Sequence, residues 1–258
     1  IHASNWTEWP SAVPSSSPFL PSPSILSWSF DSGANAQYGA ADTWYPSWAA
    51  DGNLYTPWTD GTVNGVTSFS GGSGAWNNST TGFATVIGDD PMNLTVVNVS
   101  VFQSSTSPYQ GRYPCGSLVY NGTWFYGTYY LNNPTFPPDP EPDCGNWCVQ
   151  GPFAGFRYST DFGKTWTEPR LQASSPTDNV FGETSLNNTK VKFGAPHVVD
   201  FGKELEHSPD GKMYIVGHGA NRSAAHQSWM QGDQVYLARV DPTVEAVNNL
   251  SRWEFYAG

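Results

Sequence analysis

The amino-acid sequence predicts an all-β fold, and three of its features carry this prediction. The 258 residues include 26 glycines and 21 prolines, so turns are frequent and long helices are disfavoured. No stretch with helical periodicity continues past its nearest glycine or proline. Three segments instead have the pattern of a strand, a tight turn containing Asp-Gly or Asn-Gly, and a second strand.

The amino-terminal residues differ in composition from the rest of the chain. Residues 1–25 are rich in proline and serine, as in "EWPSAVPSSSPFLPSPSI", and are predicted to form an extended arm on the surface. Residues 26–258 are predicted to hold the strands, and they are numerous enough to bury a core.

The three hairpin-like segments are 47–58, 117–130 and 207–219, and a further strand pair follows each of them. Their turns lie 70 and 89 residues apart, a spacing that suits the four-stranded blades of a β-propeller. Three blades do not close a ring. We therefore expect a complete ring of about five to seven blades. This chain would supply roughly the first three to four, and a further segment or a second chain would complete the ring.

A short motif after the second hairpin bears on the fold. "STDFGKTW" (159–166) matches the Asp-box pattern S-x-D-x-G-x-T-W, and so resembles the turns of sialidases and other propellers. Asp161 is expected to accept hydrogen bonds from the amides of the turn, Gly163 to adopt a positive φ, and Trp166 to pack between sheets. The motif predicts a structural turn and carries no catalytic residue.

Two carboxylates flank the first hairpin turn at equal distances. Asp42 and Asp60 stand at its two ends in "DTWYPSWAADGNLYTPWTDG" (42–61). A three-residue turn over residues 50–52, with Gly52 in the left-handed conformation, would place the two aspartates directly opposite each other. Glycosidases use such a pair: one carboxylic acid protonates the leaving oxygen, and the other carboxylate activates water or attacks carbon. The alternative is that both side chains only cap strand ends.

The same segment resembles the first-blade signature D-T-W…W-A-x-D-G-x-L-Y-T…D-G of a large family of secreted propeller domains. That family includes bacterial endo-D-arabinanases, which cleave furanosidic arabinan with inversion. Weaker likeness extends over 111–131 and 206–220. The resemblance implies that Asp42 and Asp60 are the essential base and acid, respectively.

Further residues are predicted to bind substrate. Trp44 and Trp58 offer flat faces on which sugar rings stack. Counting back from the second turn places Arg112 level with Asp42. On the other strand, the same count places Tyr130 level with Asp60.

His218, which follows the third turn, is expected to reach the same mouth, with His197 and His207 nearby. Arg112, Tyr130 and His218 keep a second interpretation open, a lyase that removes rhamnose from glucuronate-containing polysaccharides. There an arginine would neutralise the uronate and a His or Tyr would relay the proton. A third interpretation is a carbohydrate-binding propeller without catalysis, which would use the tryptophan faces alone.

Sequons and net charge point to the secretory pathway. The sequence contains nine N-x-S/T sequons, at Asn5, Asn77, Asn78, Asn93, Asn98, Asn121, Asn187, Asn221 and Asn249. Their number predicts a secreted glycoprotein, and we expect that a signal peptide once preceded Ile1. The net charge of -11 disfavours nucleic acid as a partner, and the lack of an 18-residue apolar run disfavours a membrane span.

The three cysteines predict a disulfide between Cys115 and either Cys144 or Cys148 in an oxidising compartment. Their spacing does not fit a zinc site. We expect no cofactor, with a structural calcium left open. The expected partner is a polysaccharide or an oligosaccharide.

Overall fold

The chain is all-β in the residues that a computed structural model describes. These are residues 6–9, 15–18, 20, 24, 28–31, 36–69, 80–102, 112–130, 153–168, 179–183, 191–219, 232 and 234–257. Within them, the helical elements are two short 3-10 helices, Lys203–Leu205 and Leu250–Arg252. The predicted all-β class is therefore confirmed.

Two amino-terminal strands form a small sheet of their own. β1 (Trp6–Trp9) pairs antiparallel with β2 (Trp28–Asp31). β1 lies inside the segment predicted to be an extended arm. The boundary at residue 25 stays a prediction.

The first large sheet is organised around one long strand. Its members are β3 (Ala40–Asp42), β4 (Ser47–Trp48), β5 (Leu54–Val63), β6 (Val66–Ser68), β7 (Gly82–Ile87) and β8 (Thr95–Val101). β5 pairs with β3, β4, β6 and β7, and β8 continues the sheet beyond β7. β7 and β8 form the strand pair that was predicted to follow the first hairpin.

Two more sheets follow in chain order, each an antiparallel meander. The second sheet contains β9 (Arg112–Tyr120), β10 (Thr123–Tyr130) and β11 (Phe153–Ser159). The third contains β12 (Gly194–Val198), β13 (Met213–Gly219), β14 (Gln234–Val240) and β15 (Glu254–Phe255).

Aromatic side chains fill the spaces on both sides of the second sheet. Trp124 and Tyr126 of β10 pack towards the first sheet, in one cluster with Tyr55. Phe125, between them in sequence, packs on the other face with Met213 of the third sheet. Because both faces of β10 are covered, apolar and aromatic side chains are favourable on both, and polar and apolar residues do not alternate along the strand.

The Asp-box sequence adopts the predicted turn. Asp161 accepts the amide of Thr165 at 2.8 Å, and Gly163 has a φ of 90°. The ring of Trp166 packs against Trp124 of the second sheet and Phe83 of the first, with centroids 4.9 and 5.3 Å away. The motif therefore joins two sheets.

The third predicted hairpin is wrong in one of its strands. The residues before Asp210-Gly211 form a 3-10 helix and turns, whereas the strand that pairs with β13 is β12, which ends at Val198. Within this longer connection, the 3-10 helix Lys203–Leu205 contacts β4 of the first sheet and β9 of the second. The first and second hairpins are confirmed.

Cys115 is a buried free thiol, contrary to the predicted disulfide. Its predicted partners, Cys144 and Cys148, lie outside the described residues. In the described part of the chain, no helix has the length and apolar character needed to cross a membrane.

Candidate active site

The turn of the first hairpin has the predicted three-residue geometry. The amide of Gly52 donates to the carbonyl of Ala49 at 3.0 Å, and the amide of Ala49 donates to Asn53 at 3.0 Å. Gly52 closes the turn with a φ of 85°. Asp51 accepts the Asn53 amide at 2.9 Å, so the turn is fixed by its own side chain.

The register at the far end of the hairpin differs from the prediction. Asp42 pairs with Thr59 and not with Asp60. Between the flanking pairs, Asp60 and Gly61 oppose a single residue, Ala41, which is the arrangement of a β-bulge. Asp60 has a φ of 50°, so the bulge turns its side chain out of the regular pleat.

A tyrosine from the second sheet brings the two carboxyl groups together. The hydroxyl of Tyr113, on β9, donates to Asp60 Oδ2 at 2.8 Å and lies 3.3 Å from Asp42 Oδ1. These two carboxylate oxygens are therefore separated by at most about 6 Å, the sum of the two contacts. The predicted acid pair thus forms through a bulge and a third side chain, not through direct opposition.

Electrostatic conditions at the pair favour a protonated carboxyl group. Asp42 is exposed as a residue, but partial burial of its carboxyl group raises its pKa, and the negative charge of Asp60 raises it further. Burial and the charge of Asp60 likewise raise the pKa of the Tyr113 hydroxyl, which stays neutral at physiological pH.

The neighbouring titratable groups are also held neutral. Burial is the main cause that raises the pKa of Tyr45 to about 12, and it raises the pKa values of Tyr129 and Cys115 as well. The ring of Tyr129 packs 5.4 Å from that of Tyr113, between centroids. The groups near the two aspartates are thus neutral hydroxyl, thiol and aromatic groups.

A cleft of about 270 Å³ lies between residues 44–47 of the first sheet, β9 of the second and β12 of the third, and Asp42, Asp60 and Tyr113 are not among its lining residues. Trp44 and Tyr45 of the first sheet, Ser117 of the second and His197 of the third are among its lining residues. His197 packs edge-on to Tyr45 with ring centroids 4.8 Å apart. Burial and then the nearby His218 lower the pKa of His197, which favours its neutral form.

The two predicted tryptophan platforms are placed differently. Trp44 is partly buried, lines the cleft, and donates its indole N–H to the Ala41 carbonyl at 3.1 Å. Its ring stacks on Trp58 with centroids 6.4 Å apart and planes 22° apart. Trp58 is 0% exposed and packs directly over Gly82, so it offers no face to a sugar. Trp58 therefore does not have the predicted role of stacking on a sugar, and its ring packs against that of Trp44 instead.

The other predicted binding residues are located in part. Arg112 and Tyr130 face each other across β9 and β10, as counted from the turn, but their side chains lie outside the described residues. His218 lies on β13 opposite Gly194 and close to His197.

Tyr113 was missed because the count from the second turn considered only the two positions level with Asp42 and Asp60. That count gave the observed pairing of Arg112 with Tyr130, but it could not show a contact between two sheets.

Four of the sequons lie on the surface of the described chain. Asn93, Asn98, Asn121 and Asn249 are exposed. Asn5, Asn77, Asn78, Asn187 and Asn221 lie outside the described residues. Glycosylation itself stays a prediction. In the described ranges, no group of three or more His, Cys, Asp or Glu side chains is placed to hold a metal ion.

Comparisons with known proteins give no assignment. No family model and no curated protein matches the chain. A crystal structure of a protein of unknown function from Dyadobacter fermentans aligns with 12% identity and a TM-score of 0.37. The alignment covers 85% of this chain and 55% of that one, so the chain spans about half the length of that protein. This likeness is too low to indicate a shared fold or function.

Proposed function

We propose that the chain is part of a secreted glycoside hydrolase that uses Asp42 and Asp60 as its carboxyl pair. One observation carries the proposal: the hydroxyl of Tyr113 lies within 3.3 Å of both carboxyl groups, so the two groups act on one small volume. Trp44, two residues from Asp42, lines a cleft between the sheets, and its partly exposed ring can stack on the C–H face of a sugar.

The proposed architecture is a β-propeller, of which this chain would supply the first blades. The second and third sheets are antiparallel meanders in chain order, and the first strand of the second sheet, β9, packs against β5 of the first sheet and β12 of the third. In a propeller the first strand of each blade lines the central channel. Asp42, Tyr113 and His197 all come from these first strands or their ends, which would place the site at the channel mouth.

The roles of the two carboxyl groups follow from their surroundings. A general acid must keep its proton near neutral pH, and the raised pKa of Asp42 suits that task. Asp60, which accepts the 2.8 Å hydrogen bond from Tyr113, would be the base or the nucleophile. This reverses the assignment expected from the resemblance, in which Asp42 was the base.

The carboxyl spacing bears on stereochemistry. An upper limit of about 6 Å between the facing oxygens lies below the roughly 6.5–9.5 Å of inverting enzymes and includes the roughly 5–5.5 Å of retaining ones. The resemblance implied inversion. Proton NMR of the first-formed anomer distinguishes these two courses, and both keep the same carboxyl pair.

A neutral polysaccharide is the substrate class that suits this site best. The described groups around the pair are carboxyl groups, neutral tyrosines and a histidine that burial keeps neutral. A uronate would bring a further negative charge beside Asp42 and Asp60. This favours hydrolysis over the lyase alternative, which depends on Arg112.

The test is cleavage of a panel of neutral and uronate-containing polysaccharides by the wild-type protein and by Asp42→Asn and Asp60→Asn. We expect new reducing ends from a neutral polymer, and a loss of about 10²–10⁴-fold in each variant. Asp51→Asn, in the turn of the same hairpin, is the matched control and should retain activity.

The lyase and the carbohydrate-binding domain would each give a different result in the same experiment. An unsaturated product with ultraviolet absorbance, formed equally by Asp42→Asn or Asp60→Asn, would support the lyase. Retention of a glycan in affinity electrophoresis, with no product from any polymer, would support a carbohydrate-binding domain.

A further inference from the structure

We propose that the cleft lined by Trp44, Tyr45 and His197 is a subsite for one neutral sugar residue of the substrate, and that His197 selects this sugar by hydrogen bonding to its hydroxyl groups. This inference rests on the proposed function, in which a neutral polysaccharide is the substrate. It adds a binding site beyond the carboxyl pair and a residue that determines specificity.

A β-bulge in β12 directs His197 into the cleft. Two residues of this strand, Ala195 and Pro196, oppose the single residue Gly217 of β13. Ala195 has a φ of 42°, a conformation that few residues with a side chain adopt. Residues 194–196 are buried in succession, and His197 is the first exposed residue of the strand. Bulges and strained backbone that redirect one side chain are typical of binding and active sites.

His197 and Tyr45 have hydrogen-bonding groups that the protein itself does not use. In the described part of the chain, neither the imidazole nitrogens of His197 nor the hydroxyl of Tyr45 has a hydrogen-bond partner. Burial and then the nearby His218 lower the pKa of His197, which favours a neutral ring with one donor and one acceptor. A sugar hydroxyl also donates and accepts, so it can satisfy both nitrogens.

The charges around the cleft disfavour an anionic ligand. Among the described residues that line it, none is lysine or arginine, and one is the acidic residue Asp200. Asp200 accepts the amide of Gly202 at 2.8 Å, which fixes its carboxylate in place. A uronate or a phosphate would be repelled by this carboxylate and would find no cation. Trp44 and Tyr45 instead offer ring faces to the C–H groups of a neutral sugar.

The size and the place of the cleft suit one sugar residue of a longer chain. Its volume of about 270 Å³ is slightly below the roughly 300–1,000 Å³ of most ligand sites. Tyr45 joins the cleft to the carboxyl pair. Its ring contacts His197, and its pKa is raised to about 12 mainly by burial, with smaller contributions from Cys115 and Asp42. A sugar in the cleft would therefore be next to the sugar that is cleaved.

Binding of single sugars tests the subsite without catalysis. Saturation-transfer difference NMR would use arabinose, xylose, glucose, galactose and mannose, with glucuronate as the charged comparison. We expect at least one neutral sugar to bind through its ring C–H protons, and glucuronate to bind about tenfold more weakly or not at all. His197→Phe should weaken binding of the neutral sugar about tenfold, because it removes both nitrogens and keeps a ring against Tyr45.

Two further variants control for the loss of an imidazole. His197→Gln keeps a donor and an acceptor, so it should recover part of the affinity that His197→Phe loses. His207→Phe is the matched control, because His207 lies in the connection after β12, has a side chain that is 76% exposed, and does not line the cleft. This variant should bind sugars as the wild type does.

Chemical modification of the wild-type protein decides the matter if His197→Phe does not fold. Diethyl pyrocarbonate acylates neutral imidazoles, and mass spectrometry of the peptides gives the rate at each histidine. The neutral sugar that binds should slow the modification of His197 and leave that of His207 unchanged. Equal rates at His197 with and without the sugar would overturn the inference.

Hydrolysis separates the subsite from the proposed function. On a polymer that the wild type cleaves, His197→Phe should raise KM about tenfold with little change in kcat. Sugar binding that depends on His197, with no polymer cleaved, would leave the subsite standing and reject the hydrolase. Cleavage that depends on Asp42 and Asp60, with sugar affinity and KM unchanged in His197→Phe, would overturn the subsite and leave the hydrolase. Failure of every neutral sugar to bind, or equal binding of glucuronate, would also overturn the subsite.

Discussion

Asp60 reaches its position through a backbone conformation that few side-chain-bearing residues adopt. Its φ of 50° lies in the left-handed region, where aspartate is tolerated better than most residues. The next residue, Gly61, lies so close to β3 that a Cβ atom there would be 1.8 Å from the carbonyl oxygen of Ala40. The direction of the Asp60 carboxylate therefore depends on Gly61, a residue without a side chain.

Gly61→Ala tests this dependence. Because the obstacle is backbone and cannot rotate away, we expect a loss of about 2 kcal/mol or more in the free energy of unfolding, measured by urea denaturation. Hydrolysis should fall as well, since Asp60 would move. Gly65→Ala is the control: its φ is 79°, but nothing lies within 4 Å, so it should lose only the roughly 1–2 kcal/mol of a left-handed alanine. Equal losses in both variants would contradict the steric argument.

At the scale of the element, the first hairpin carries an aspartate of opposite character at each end. At the open end, burial and Asp60 raise the pKa of Asp42. At the turn, some burial acts to raise the pKa of Asp51, but hydrogen bonds from Tyr55 and Asn53 outweigh it and lower that pKa. Ionisation of Asp42 therefore destabilises the folded protein, and ionisation of Asp51 stabilises it.

Asp42→Asn should therefore stabilise the protein at neutral pH while it lowers activity. A pKa raised above that of the unfolded chain means that the native state keeps its proton longer. Stability then falls as the pH rises from the ordinary pKa of aspartate through the raised one, and stays lower above it. Asparagine removes this penalty, so its Tm should exceed that of the wild type at pH 7, with the difference vanishing in acid.

Asp51→Asn should show the opposite sign. Its lowered pKa contributes stability above the unfolded pKa, and that contribution is lost as the pH falls through the folded pKa. The variant should melt below the wild type at neutral pH and approach it in acid. Thermal melts of Asp42→Asn and Asp51→Asn over a pH series test both predictions. A Tm for Asp42→Asn below that of the wild type at pH 7 would contradict this account.

Local signals in the sequence predicted the turns of this fold well. The turn over residues 50–52 and the Asp-box at 159–166 are as expected, because each is fixed by hydrogen bonds within a few residues of chain. The spacing of Asp42 and Asp60 about the turn likewise predicted that they lie close together, because both belong to one hairpin.

Register and tertiary partners could not be predicted in the same way. The bulge at Asp60 is held by Ala40 of another strand, and Tyr113 comes from another sheet, so no local pattern reveals either contact. Counting from the second turn gave the observed pairing of Arg112 with Tyr130, but a count within one hairpin does not show which of its residues contacts another sheet. Hydrophobic character likewise did not reveal that Trp58 is enclosed and Trp44 is not.

At the scale of the whole molecule, one carboxylate connects the three large sheets. Glu204 lies in the 199–212 connection of the third sheet. It accepts the amide of Ala50, in the turn of the first sheet, at 3.2 Å, and the amide of Asn121, in the turn of the second, at 2.6 Å. The long connection that replaces the third predicted hairpin places Glu204 between both turns.

Glu204→Gln should weaken the packing of all three sheets. The glutamine side chain keeps one acceptor oxygen, but its NH2 group faces the other backbone N–H. That N–H is left without an acceptor. Hydrogen bonds to a charged group contribute about 1.5–3 kcal/mol, so we expect a loss of about 1–3 kcal/mol in the free energy of unfolding by urea denaturation. Amide hydrogen exchange should quicken at Ala50 and Asn121 together, although they belong to different sheets.

Glu206→Gln, two residues further along the same connection, is the control. Its carboxylate is exposed and lies 3.8 Å from His207, so its loss should change stability by no more than about 0.5 kcal/mol. If Glu204→Gln is as mild as this control, or if exchange quickens at only one of the two turns, the sheets are held by their aromatic interfaces alone. A loss confined to Glu204→Gln and felt at both turns means that the relative position of Asp42 and Tyr113, which belong to different sheets, depends on this carboxylate too.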